Sequence, residues 1–91
     1  MSFGIDWSNN ATAAEKKRRK QELVKVSLRM GEIVGSDGGT YINEANPYEP
    51  DWQNVFWGSN YAKLEAIKKR IDPKGLMMCN RCVGTDIIYE P

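Results

Sequence analysis

Residues 39–86 read GTYINEANPYEPDWQNVFWGSNYAKLEAIKKRIDPKGLMMCNRCVGTD, and the architecture of the chain turns on them. Their clearest element begins near Ser59. From there Tyr61, Leu64, Ile67, Lys68 and Ile71 recur at the spacing that lines up one face of a helix, Glu65 and Lys69 stand four apart on another face, and Asp72-Pro73 supplies the stop. Upstream, Asn46-Pro47-Tyr48-Glu49-Pro50-Asp51 carries two prolines, which remove amide donors and push the preceding residues into extended geometry, so an irregular connection is expected there. Trp52, Phe56 and Trp57 follow it. Aromatics of this size each bury well over ~100 Å² when packed, so this face asks for a partner surface.

On the N-terminal side, Gly35-Ser36-Asp37-Gly38-Gly39 forms a turn cluster, and Tyr41-Ile42-Asn43 reads as a short strand. Earlier still, Thr12-Ala13-Ala14-Glu15 has the spacing of a capping box, which predicts a helix start. From Leu23 two patterns compete: Leu23, Val26, Met30 and Ile33 make a helical stripe, while Val24, Val26, Leu28 and Met30 alternate with polar residues as in a strand. The helix is the better reading, because strong helix formers lie upstream and no breaker intervenes before Gly31. On the C-terminal side, Lys74-Gly75 makes a turn, Leu76-Met77-Met78 is a short apolar run, and Val83-Gly84-Thr85-Asp86 leads into Ile87-Ile88-Tyr89.

The expected fold is therefore α+β, a partial domain of two helices with short strands and an irregular aromatic-rich connection. It divides into a tail at 1–10, a basic helix and turn at 11–38, and the remaining segment at 39–91. The chain has 91 residues and a net charge of +1, and Leu, Ile, Val and Phe make up 18 of the residues, a level at which a self-sufficient core is not assured. No apolar run approaches the ~20 residues of a membrane span, and MSFGIDWSNN lacks the basic and apolar regions of a signal peptide, so a soluble, cytoplasmic chain with no membrane partner is expected. Lys16, Lys17, Arg18, Arg19 and Lys20 could be read as a nucleic-acid patch, but on a capped helix they make an ordinary solvated face, and no nucleic-acid partner is expected.

The chemistry available is narrow. With no His in the chain, the commonest general base and the commonest neutral metal ligand are both missing. Cys79-Asn80-Arg81-Cys82 is a single C-x-x-C, and four-coordinate zinc would require a second pair of Cys or His, so no metal site is expected. A redox dithiol remains open because Arg81 would favour a thiolate, but the βαβ setting of thioredoxin-like chemistry is missing, and structural or incidental cysteines are the better reading. Glu44, Glu49 and Asp51 are close in sequence without the marks of a paired acid and base, and Gly35 to Gly39 lacks the Lys and the spacing of a phosphate loop.

Taken as a whole, residues 39–86 resemble the C-terminal berberine-bridge-enzyme-like segment of fungal FAD-linked oxidoreductases, in the vanillyl-alcohol-oxidase superfamily. The shared run is G-x-Y-x-N-E-A, D-W-Q, an aromatic-Gly-x-Asn-Tyr, a Leu, an Ile-Lys pair, Asp-Pro-x-Gly-Leu and Val-Gly-Thr-Asp. The resemblance implies FAD as the cofactor, a small-molecule substrate, a setting in fungal secondary-metabolite biosynthesis, and an activity completed by a flavin-binding part this chain lacks, whether lost or supplied as a separate FAD-binding chain. It places Asn60 near flavin and substrate, with Tyr61 beside it offering a phenol or an aromatic face. An Asn amide offers both a donor and an acceptor to the polar edge of an isoalloxazine or to a ribityl chain. An ordinary helix cap is the plainer role for Asn60. Family members often carry a tyrosine a few residues before that Asn, sometimes used as a base. Here Phe56 and Trp57 occupy that region, so no catalytic residue is assigned. The alternative is a non-catalytic remnant or small interaction module using the Trp52/Phe56/Trp57 face.

Overall fold

The computed structural model describes residues 4–35 and 37–91. Its elements, in chain order, are α1 (Ala13–Val34), a 3-10 turn at Ile42–Glu44, α2 (Trp52–Trp57), a second 3-10 turn at Gly58–Asn60 and α3 (Tyr61–Ile71).

No strand occurs among the described residues, which corrects the expected α+β class to an all-helical one. Tyr41-Ile42-Asn43 has β-branched and aromatic character, but a strand exists only by pairing, and no neighbouring segment offers it a ladder. The backbone bonds locally instead: Glu44 N–H donates to Tyr41 O at 3.0 Å and Ala45 N–H to Ile42 O at 3.4 Å. The count of two helices is corrected as well. The aromatic connection contains a helix of its own, α2, which starts immediately after Pro50-Asp51 and sets Trp52 and Phe56 one turn apart.

α1 begins where the capping box predicts. Thr12 Oγ1 accepts from Glu15 N–H at 3.2 Å, and a Glu15 carboxylate oxygen accepts from Thr12 N–H at 2.7 Å. These bonds hold the Glu15 carboxyl below its ordinary range, with Arg18 and Arg19 adding a smaller pull. The helix runs through Gly31 to Val34, and Gly35 N–H closes it by donating to Gly31 O at 2.9 Å. Ser36, within the expected 35–39 turn, lies outside the described residues, as do residues 1–3 of the expected tail.

The inward face of α1 differs from the expected stripe. Val26 is 41% exposed and Ile33 70%, whereas Leu23, Val24, Ser27 and Met30 are half-buried. This face meets the proline-rich connection: Asn46 Nδ2 donates to Ser27 Oγ at 3.1 Å, and Lys20 Nζ lies 5.5 Å from the centre of the Tyr48 ring.

Between α2 and α3 the chain reverses at Gly58. Its φ of 53° with ψ of −137° is a conformation that glycine adopts readily and residues with a Cβ do not. α3 then ends at the expected Asp72-Pro73. Packing is thin: Trp52, at 9% exposure, is the sole apolar side chain classed as buried among the described residues. The radius of gyration is 15.0 Å, against about 12 Å for a compact domain of this length. The accessible surface of 6988 Å² likewise exceeds the roughly 5,400 Å² expected for a folded monomer of this mass.

Candidate functional site

The best-packed place in the molecule is the junction of α2 and α3. Trp52 lies between Trp57, at 6.0 Å between ring centres, and Tyr61, at 5.5 Å, both edge to face. Phe56 stands 5.5 Å from Trp57, and Trp57 is 6.0 Å from Tyr61. Edge-to-face contacts match the positive rim of one ring to the negative face of another, so the cluster fixes the angle between the helices as well as burying area. The three aromatics expected to need an outside partner therefore find part of it within the chain.

Asn60 and Tyr61 sit side by side at this junction but face different surroundings. Asn60 is exposed and makes no capping hydrogen bond. The reason is its backbone: at φ −79° and ψ −14° it is already helical, because the Gly58–Asn60 turn feeds straight into α3, whereas a capping side chain needs extended geometry. Tyr61 is half-buried, and its Oη accepts from Gly84 N–H at 3.2 Å. Its ring supports α2 while its phenol ties α3 to the 83–86 turn. At Gly84, where φ is 69°, an added Cβ would lie 3.1 Å from Lys68 Cγ, so the close approach behind this bond depends on glycine.

Two further polar groups organise the site in roles beyond those read from the sequence, where Asp72 is the stop of a helix and Arg81 a neighbour that favours a thiolate. Asp72 accepts from Leu76 N–H at 2.8 Å and from Met77 N–H at 2.9 Å, and it pairs with Lys68. Together these hold its carboxyl at about 2, with the Lys68 bond the largest cause. The Asp-Pro-Lys-Gly run is the signal for this loop, since an Asp ahead of a turn commonly accepts from amides that follow it. Arg81 is the buried charge, 4% exposed, and it adopts the left-handed φ of 53°, which costs a non-glycine residue about 1 kcal/mol. Nothing in the sequence separates it from a surface arginine.

Glu49 is held above its ordinary range by desolvation, with the Asp51 charge adding to the rise, while Asp51 itself accepts from Asn54 Nδ2 at 3.1 Å. An open groove of about 750 Å³ runs between α1 and residues 38–55, with Leu23, Ser27, Met30, Asn46 and Val55 on its walls. Cys79 and Cys82 are joined as a disulfide, their Cα atoms 5.3 Å apart. No helix among the described residues is long and apolar enough to cross a membrane.

Among the described residues, the helical unit thus displays the Asn60 amide beside an aromatic cluster and leaves much apolar surface exposed. Residues 40–83 match the family model described as berberine and berberine like. The chain is 63% identical over its full length to an uncharacterized FAD-linked oxidoreductase of Arthroderma benhamiae, of which it spans 16%. It is 46% identical over 90% of its length to the FAD-linked oxidoreductase ffsJ of Aspergillus flavipes, spanning 13% of that protein. Against the FAD-linked oxidoreductase cheF of Chaetomium globosum the figures are 42% over 92% of the chain, and 14% of that protein. No solved structure matches. Residues 40–83 are thus similar to the berberine and berberine like family, and the chain is similar to fungal FAD-linked oxidoreductases, spanning about a sixth or less of these three relatives.

Proposed function

We propose that this chain supplies one wall of the flavin and substrate site of an FAD-linked oxidoreductase acting in fungal secondary metabolism, and that a separate flavin-binding part is needed to complete that site. The observation that carries this reading is Asn60, an exposed amide free of capping duty, held at the α2–α3 junction by the packed aromatic cluster and set within the family-matching segment. Its donor and acceptor suit the polar edge of an isoalloxazine or a ribityl chain.

When bound, FAD supplies the electron-accepting chemistry, and this chain's residues position and shield it. Tyr61 takes the supporting role: its ring braces Trp52 and its phenol accepts from Gly84 N–H, so the direction in which Asn60 projects is set from behind. The neutral Phe56 and Trp57 offer apolar walls and no base.

The test is a graft. In the Arthroderma benhamiae relative, the region aligned with this chain is exchanged for residues 1–91, with and without Asn60→Ala. The graft is expected to retain FAD and its visible spectrum, and Asn60→Ala to weaken flavin retention or turnover by about tenfold or more, the loss of one charge-free but desolvated hydrogen-bonding amide. A graft that holds FAD and turns over equally well with Ala at position 60 contradicts the reading.

A further inference from the structure

The end of the chain is held down by one side chain and its neighbour. Arg81 Nε donates to Glu49 O at 2.8 Å, and its Nη1 donates to Pro47 O at 2.7 Å, to Tyr89 O at 2.8 Å and to Asn80 Oδ1 at 3.0 Å. Its backbone N–H donates to Ile87 O at 3.1 Å. Asn80 completes the bridge: Nδ2 donates to Pro47 O and Oδ1 accepts from Tyr89 N–H, each at 2.8 Å. Two consecutive residues therefore tie the 47–49 connection to residues 87–89.

Both residues lie inside the C-x-x-C. Cys82 N–H donates to Cys79 O at 3.2 Å, closing a turn whose third residue is Arg81 at φ 53°. That position favours glycine or asparagine, since other side chains are strained there. Arginine is kept in it from two directions, by the hydrogen bonds of its guanidinium and by the disulfide that links the first and fourth residues of the same turn. Reduction removes one of these restraints.

We propose that Cys79–Cys82 is a thiol-exchange site, and that its reduction by a dithiol releases the Arg81 clip and frees residues 87–91 from the 47–52 surface. Cys79 is exposed and Cys82 half-buried, so an incoming thiolate reaches the Cys79 sulfur first. That attack forms a mixed disulfide at Cys79 and expels Cys82 as a thiolate. The reductant's second thiolate then displaces Cys79, and the reductant leaves as its own disulfide. Two electrons pass to the cysteines, which take up the two thiol protons. The structural consequence lies in a cleft of about 330 Å³ bounded by Val24, Trp52 and Arg81 on one side and by Ile88 and Pro91 of the freed segment on the other. Release removes the latter wall and opens Trp52 to solvent.

Amide hydrogen exchange on the 91-residue chain, air-oxidised and then treated with dithiothreitol, tests this without reference to flavin. Reduction is expected to speed exchange at the amides of Arg81 and Tyr89 by about fivefold or more while α1 and α3 keep their rates, as for a local opening. The Cys79→Ser/Cys82→Ser double variant should show the fast rates with or without dithiothreitol. Equal rates in the two oxidation states of the unmodified chain overturn the proposal, as does a loss of protection throughout α1 and α3, which would make the disulfide a general staple.

Discussion

Single residues set the ends of the helices, and those were the most legible features of the sequence. Thr12 with Glu15 and Asp72 with Pro73 act on neighbours three to five positions away, so spacing alone reveals them. Arg81 was not legible, because its burial depends on carbonyls of Pro47 and Glu49, more than thirty positions distant, and on a turn conformation that the residue type disfavours. The Asp72 carboxyl gives a pH prediction with a definite sign. Its folded pKa of about 2 lies below its ordinary 3.8, so the stabilisation is fully present above the ordinary value and is lost as pH falls through about 2. Thermal melts followed by circular dichroism should therefore shift downward between about pH 4 and pH 2, and Asp72→Asn should remove much of that shift. Glu49 works in the opposite sense. Burial raises its pKa, so its contribution falls as pH rises past its ordinary 4.5. A melt with the same acid dependence in Asp72→Asn would show that the carboxylate loop is not what holds the end of α3.

At the scale of elements, the lesson is which neighbours the sequence conceals. A helix from its cap to Val34 follows from local propensity, yet its inward face is Leu23, Val24, Ser27 and Met30, because the surface it meets is the 45–50 connection with its own polar groups. The expected strand at 41–43 failed for a related reason: pairing partners cannot be read from three residues, and a 3-10 turn satisfied the backbone locally. α2 was concealed by the two prolines before it, which point to irregular chain although Pro50 stands just ahead of a helix start, where its fixed φ is tolerated. The α2–α3 pair depends on Trp52. Removing a buried Trp side chain costs about 3 kcal/mol or more, a large share of the 5–15 kcal/mol that small domains possess. Trp52→Ala is accordingly expected to abolish the cooperative part of the far-ultraviolet melt, with Trp52→Phe retaining more of it. Unchanged helix content in Trp52→Ala would remove the aromatic cluster from the centre of the fold.

For the whole molecule, the thin composition and the open structure have one explanation. The surface is larger and the dimensions longer than 91 compactly packed residues require, and Ile71 at the end of α3 remains exposed, as do Leu76 and Met77 in the loop that follows it. The family match adds that comparable segments belong to proteins more than six times as long. The candidate site was legible in part: Asn60 could be picked from its place in the shared run, while its freedom from capping and its support by Tyr61 are properties of the folded junction. On the proposed reading, the chain contributes a face and an amide to flavin, and the remaining contacts come from residues outside these 91. The most direct test is to titrate FAD with the purified chain alone and follow flavin fluorescence and absorbance. The account predicts no saturable complex at micromolar concentrations of protein, whereas a tight yellow complex formed by these 91 residues alone would contradict it.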